Sequence, residues 1–405
     1  MSSALPPASS GQPPVAASPL QPVTAGILTA LVGFGSTFAV VLQGLAAVGA
    51  SPAQAASGLM AVCLAMGVLG LGLSLALRMP ISVAWSTPGA ALMAATGAVQ
   101  GGFAAATGAF ILAGGLIALA GFWKPLGRMA AAIPPALASA MLAGVLLKLC
   151  LSPFTAVAVA PVPALAVIVT FLVVGRFFRL WAVPAAVAVA IGLTLAGPGS
   201  AGFDTAALAL PKPVFVMPAF TLEAAVGLAL PLFLVTMASQ NIPGLAVLSA
   251  FGFRPAAGPL FRATGLGSMV IAPFGGVTVN LAAITAALAA GPDADPEPAR
   301  RWIAGVTAGV AYLGLGLLAL AAAAGFGASP PLLIQAAAGL ALIGAFGASI
   351  AGALKEEADR PAALVTFLFT ASGLSVAGIG PAFWGLVAGV AVMTLHGRLG
   401  RLTHP

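Results

Sequence analysis

The sequence predicts an all-α polytopic membrane protein of about fourteen membrane segments, built as two inverted repeats of seven segments each. Three observations predict it. The first is composition: 61% of the 405 residues are hydrophobic and 6% are charged, with a mean hydropathy of +1.14, whereas a soluble domain carries about a quarter charged residues. Such a chain cannot cover a water-facing surface and takes lipid as its main solvent. The second is pattern. The apolar runs are long, rich in Ala, Leu, Gly and Val, and fit spans of roughly 20 residues. They lack the in/out alternation of barrel strands, so helices satisfy the backbone. The third is the placement of charge. With an even number of spans both termini share one side, and Arg78, Lys124, Arg128, Arg176, Arg179, Arg254, Arg262, Arg300, Arg301, Lys355, Arg360, Arg398 and Arg401 all fall there, with only Lys148 and Lys212 opposite. The positive-inside rule makes that side, and both termini, cytoplasmic.

In chain order, residues 1–20 are rich in Pro, Ser and Ala and hold no Lys or Arg. They lack the basic and apolar regions of a signal peptide and are expected to form a disordered tail. The first repeat, 21–200, holds segments at 24–49, 53–77, 81–98, 104–123, 133–151, 161–178 and 181–197. A connector, 201–220, carries Asp204 and Lys212. The second repeat, 221–400, holds segments at 221–249, 257–272, 274–290, 299–324, 330–351, 361–378 and 380–397. The halves match at a near-constant offset. Pro134-Pro135 opens the fifth segment and Pro330-Pro331 the twelfth, 196 positions later. Gln43 matches Gln240 at 197, and Phe171 and Gly175 match Phe369 and Gly373 at 198. Seven spans per half is odd, so the second half inserts upside down.

The third and tenth segments break the helical pattern. The third reads Pro80-Ile81-Ser82-Val83-Ala84-Trp85-Ser86-Thr87-Pro88-Gly89, the tenth Pro273-Phe274-Gly275-Gly276-Val277-Thr278-Val279-Asn280. Each has a proline, a short extended stretch and then small or hydroxyl residues. Ser86 or Thr87 before Pro88 is an N-cap followed by proline at the first helical position. Both segments are expected to be discontinuous, with half-helices starting inside the membrane around Ser86–Gly89 and Thr278–Asn280. Helix N-termini carry about half a positive charge and unpaired N–H groups, so two of them form an anion site without Lys or Arg.

The eighth segment places Thr236, Ser239, Gln240 and Asn241 within six residues of a span, which is costly unless they meet partners or a ligand. Interhelical hydrogen bonding is the plain alternative. Gln43 is the counterpart of Gln240 by repeat. Trp85 and Phe274 precede the half-helices and are placed to stack on an aromatic ligand. Of the acidic residues only Glu223 falls within a segment, in the first turn of the eighth. It is the candidate for proton coupling, although a solvated carboxylate at a helix N-terminus explains it as simply.

Other classes are disfavoured. The net charge of +7 sits singly or in pairs at the ends of apolar runs, not in the stripe that nucleic acid requires. Cys63 and Cys150 read as small buried hydrophobes. The two histidines, His396 and His404, lie at the C-terminus, which argues against a histidine metal site, and no cofactor is implied. No His, Asp or Glu lies at the centre of a span, which argues against an intramembrane enzyme.

The stretches Val83–Leu92, Ala238–Leu248, Pro273–Gly276 and Asn280–Ala287 resemble the benzoate/proton symporter family of bacterial inner membranes, and the resemblance extends over nearly the whole chain after about residue 20. That family is distantly similar to the nucleobase and ascorbate permeases. The resemblance implies a core domain (24–123 plus 221–324) that moves against a gate domain (133–197 plus 330–397). It also implies import of benzoate or a similar aromatic carboxylate with protons, and it leaves room for a homodimer. Nucleobase permeases usually carry a glutamate where this chain has Gln240. That departure fits an anionic substrate, which a carboxylate would repel.

Overall fold

The computed structural model describes residues 20–123, 125–126, 134–178, 181–196, 212–283, 285–328, 331–374, 376 and 380–395. The first half runs α1 (Gln21–Ala47), α2 (Pro52–Leu77), a strand β1 (Val83–Trp85), α3 (Thr87–Thr96), α4 (Gly102–Phe122), α5 (Pro135–Val159), α6 (Pro161–Phe177) and α7 (Ala182–Ala196). The second runs α8 (Leu222–Ala250), α9 (Ala257–Ile271), a strand β2 (Val279–Leu281), α10 (Ala286–Ala290), α11 (Trp302–Leu317), α12 (Ala319–Ala328), α13 (Pro331–Leu354), α14 (Arg360–Ser372) and α15 (Pro381–Leu395). Six of these helices (α1, α2, α4, α5, α8 and α13) are long and apolar enough to cross a membrane, and α6, α7 and α15 are shorter apolar helices. The chain is a helical, multi-pass membrane protein. The expected N-terminal tail up to residue 19, the connector up to residue 211, and Lys124, Arg128, Arg179, His396, Arg398, Arg401 and His404 lie outside the described residues.

Small residues set the close packing. α11 lies on α2 through glycines of both helices: a Cβ at Gly309 would fall 2.7 Å from the Leu71 nitrogen, and one at Gly67 would fall 2.6 Å from a Leu313 methyl. Without a hydrophobic drive between helices in lipid, such backbone contact is the main source of cohesion. α9 lies on α4, α1 on α3 and α11, and α5 on α13 and α14. The described part of the connector is fastened to this scaffold: Val214 N–H donates to Ser57 Oγ at 2.9 Å, Val216 N–H to the Pro273 carbonyl at 2.7 Å, and Ala219 N–H to the Ala104 carbonyl at 2.8 Å.

At the third and tenth segments the chain leaves the helix. β1 and β2 pair antiparallel, Val83 with Leu281, Ala84 with Asn280 and Trp85 with Val279. The β-branched and aromatic residues Val83, Trp85 and Val279 suit extended backbone. A two-stranded ribbon inside a membrane must find partners for its outer N–H groups. Here side chains supply them: Val279 N–H donates to Ser268 Oγ at 2.9 Å and Leu281 N–H to Asn241 Oδ1 at 3.0 Å.

The tenth segment departs from expectation. Thr278, Val279 and Asn280 do not begin a half-helix. Val279 and Asn280 are in β2, and the helix that follows, α10, is five residues long and starts after Thr285. Pro273 and Phe274 belong to a 3₁₀ turn, Ala272–Phe274, that continues α9, and Gly275 at φ 82° turns the chain out of it. The third segment has a hydroxyl cap followed by proline. The tenth has β-branched Val277, Thr278 and Val279 at that point, which favour extension. Gly175 and Gly373, matched in sequence, differ in backbone: the first is inside α6, the second takes φ 74° just past the end of α14.

The α8 helix holds two wide π turns, Ala225–Ala229 and Met237–Asn241. Each lies just ahead of a proline, Pro231 and Pro243. Proline lacks the N–H for the carbonyl four residues back and crowds it, and a widened turn relieves that crowding. Such bulges recur at functional sites. The second contains Ser239, Gln240 and Asn241.

Candidate functional site

The strand β1, the start of α3, the stretch that follows β2, and α1, α8 and α11 line a cavity of about 70 Å³, whose wall includes Gly33, Thr37, Trp85, Thr87, Gln240, Thr285 and Tyr312. No charged side chain is among the lining residues.

Three of the expected site residues meet here. Trp85 ends β1, 3% exposed, and its Nε1–H donates to Thr37 Oγ1 at 2.9 Å. Thr37 in turn donates to the Gly33 carbonyl at 3.1 Å. The Phe34 ring lies 5.9 Å from the Trp85 ring, tilted by 59°. The indole is therefore clamped at its edge while part of its surface lines the cavity. Thr87 opens α3. Behind it Ser86 Oγ accepts the Gly89 N–H at 2.9 Å, and Pro88 has no N–H to offer. The helix thus directs the positive end of its dipole at the cavity through Thr87. A Cβ at Gly89 would fall 2.6 Å from a Leu232 methyl, where α3 packs on α8. Gln240 comes from the second π turn. Its Oε1 accepts the Ala283 N–H at 3.3 Å, which leaves its NH₂ group to donate to a ligand.

The other expected residues are placed elsewhere. Asn241, Thr278 and Asn280 form a buried network: Asn241 Nδ2 donates to Asn280 Oδ1 at 3.1 Å, and Asn280 Nδ2 donates to the Thr278 carbonyl at 3.2 Å. With at most 1% exposure they hold β2 and do not line the cavity. Here Asn241 meets its partners inside the protein, in a strand and not in another helix. Thr236 is fully buried and donates to the Phe233 carbonyl. Phe274 packs edge-on against Phe215 at 5.9 Å, away from Trp85. Gln43 stays off the wall, with its Oε1 buried and without a partner among the described residues. Ser239 faces a separate cavity of about 260 Å³ between α5, α8 and α13, together with Ser139 and Ser349. The hydroxyls of Ser239 and Ser349 donate to carbonyls four residues back, so this larger space is mostly apolar. Glu223 lines a third cavity, about 220 Å³, with Thr96, Gln100 and Gly380.

Sequence reasoning missed Thr37, Thr285 and Tyr312. For Tyr312 a signal was present: it is the only tyrosine of the chain, and a phenol within a span needs a partner.

A family model described as benzoate membrane transport protein matches residues 16–395. The chain belongs to that family. It is 41% identical over 365 residues to inner membrane protein YdcO of Escherichia coli (strain K12), covering 90% of this chain and 93% of that one. It is 32% identical over 375 residues to the benzoate membrane transport protein of Acinetobacter baylyi (strain ATCC 33305 / BD413 / ADP1), covering 92% and 94%. The benzoate membrane transport family is one of membrane transporters and not of enzymes. Among solved structures, the fold is similar to the transmembrane domain of a cyanobacterium bicarbonate transporter, BicA, with TM-score 0.57, 15% identity and coverage of 92% of this chain and 99% of that one. It is also similar to SLC26A9, with TM-score 0.56, 14% identity and coverage of 92% and 65%.

Proposed function

We propose that this membrane transporter imports benzoate or a similar aromatic carboxylate, together with protons, across the bacterial inner membrane by alternating access. The observation that carries this reading is the cavity in which an aromatic face, Trp85, adjoins the positive end of α3 at Thr87 and the amide of Gln240. The ring lies against Trp85 and the carboxylate faces Thr87. The absence of charge from the wall suits a substrate that passes as anion or as neutral acid. The name of the Acinetobacter baylyi relative, benzoate membrane transport protein, supports the substrate class, and the solved neighbours titled as bicarbonate and anion transporters support an anion. A cavity of about 70 Å³ has room for a few waters only, so the occupied site is wider, and relative movement of core (24–123 plus 221–324) and gate (133–197 plus 330–397) supplies the space.

The same reading keeps the fourteen segments in two inverted repeats with both termini cytoplasmic. The strand register supports it: Ala84 pairs with Asn280, 196 positions on, the offset that relates Pro134 to Pro330. Two inverted copies meeting at their symmetry axis give such a pairing. A cysteine at Gln100 is then labelled from the periplasm by an impermeant reagent, and labelling from the cytoplasm alone overturns the arrangement.

The decisive experiment is uptake of radiolabelled benzoate into proteoliposomes, with and without an imposed pH gradient. Accumulation accelerated by an inward proton gradient supports the proposal. Binding of a different small anion or a nucleobase in preference to benzoate replaces the substrate. Uptake without counterflow makes the protein a passive channel.

A further inference from the structure

In the cavity wall, Trp85, Thr37 and Gln240 each commit a polar atom to the protein. Tyr312 does not. It is 3% exposed, it lines the cavity, and its hydroxyl has no hydrogen-bond partner among the described residues. A buried donor left unmet is destabilising, and such groups in native structures call for an explanation. The ring has little freedom to seek a partner. α11 holds it on a face of small residues, Gly309 and Gly316, that lies against α2, where a Cβ at Gly309 would fall 2.7 Å from the Leu71 nitrogen and one at Gly316 3.2 Å from Cys63 Cβ. α1 lies directly against the hydroxyl at Gly33, where a Cβ would overlap it. Any larger residue at 33 would push the hydroxyl aside. The site thus holds one fixed O–H donor and a glycine that leaves it clear. A carboxylate accepts and does not donate, and its bond to a phenol is of the stronger, charge-assisted kind.

We propose that Tyr312 donates its hydroxyl hydrogen to the carboxyl group of the bound substrate, and that Gly33 serves to keep this hydroxyl free. This rests on the aromatic carboxylate reading above. Tyr312 then contributes to specificity, since a site built around a donor rejects ligands lacking the acceptor.

Because Tyr312 is the only tyrosine, biosynthetic incorporation of fluorotyrosine gives one fluorine NMR resonance that reports on this side chain. Benzoate added to the labelled, reconstituted protein is expected to move that resonance saturably, over the concentrations at which radiolabelled benzoate binds. Tyr312→Phe is expected to bind benzoate about ten- to a hundred-fold more weakly and benzamide with a smaller loss. Its melting temperature without ligand should equal or exceed the parent's, because an unmet hydroxyl is gone; a merely structural tyrosine would lower it. Gly33→Ala should weaken binding, and the double variant Gly33→Ala/Tyr312→Phe should bind no worse than Tyr312→Phe alone. If the parent binds benzoate while the resonance stays in place and Tyr312→Phe binds equally well, the role of Tyr312 is overturned and the functional reading stands. If the parent binds no benzoate, the functional reading falls and this proposal with it.

Discussion

The third and tenth segments pair with each other through β1 and β2, and they are built differently. The third has a hydroxyl cap, a proline and a ten-residue helix, α3, whose first residue lines the cavity. The tenth has a strand fastened by Asn241 and Ser268, and then only the five residues of α10. One segment presents a helix end to the cavity. The other uses its polar side chains on itself. A shared pattern of proline and hydroxyl residues therefore does not carry chemistry with it. What decides is whether a side chain's partners are already inside the protein.

The comparison is broken most severely at Asn241. Asn241→Leu leaves both the Leu281 N–H and the Asn280 amide oxygen without their partner, at about 1–3 kcal/mol for each buried group. A marked fall in melting temperature in detergent is expected, with benzoate affinity lost only as folding is lost. A variant that melts like the parent but no longer binds would move Asn241 from scaffold to site.

Gln240, its neighbour in the same π turn, should behave the opposite way. Gln240→Ala is expected to weaken benzoate binding by roughly 1–3 kcal/mol through loss of its free NH₂. The effect on melting should be smaller than that of Asn241→Leu, because the Ala283 N–H it releases is in a less buried bond. Trp85→Phe should have a smaller effect again, about 1 kcal/mol in binding. It keeps a ring in place but loses the bond to Thr37 that sets the ring's edge. Equilibrium binding of labelled benzoate ranks the two variants, and a larger loss in Trp85→Phe would make ring orientation the dominant contact.

The helical, multi-pass character was legible in the sequence because lipid leaves few options: long apolar runs with charged ends have to be helices. The first broken segment was legible too, since Ser86, Thr87 and Pro88 form a local cap signal. The second was not, because Thr278 to Asn280 follow a proline and an extended stretch as Ser86 to Gly89 do, while β-branched neighbours and a partner strand 196 positions away keep the chain extended there. The cavity wall was read in part. Trp85, Thr87 and Gln240 carry local signals, a break or a polar residue in a span. Whether Asn241 and Asn280 face a ligand or each other depends on the packing of α8 against β2, which no local pattern encodes. Thr37 was missed because a threonine bonding to its own helix carbonyl is indistinguishable in sequence from one that also anchors a tryptophan.

The smallest effect is expected at Glu223, and it bears on how protons move. Glu223 lies in the first turn of α8, where Thr221 Oγ1 accepts the Ala224 N–H at 3.1 Å and the helix end favours negative charge. Its cavity shares no lining residue with the one around Trp85. Gln240 lies seventeen positions further along α8, about 25 Å at 1.5 Å per residue. Between them, residues 224–239 contain no titratable side chain. A relay along α8 has nothing to step on. A carboxylic acid substrate can carry the proton itself: its pKa of about 4 in water rises in a dry site, and an amide such as Gln240 bonds either form. Glu223→Gln should therefore retain benzoate uptake accelerated by an inward proton gradient in proteoliposomes. If the variant still exchanges benzoate but loses that acceleration, Glu223 is the coupling group and the proton does not travel on the substrate alone.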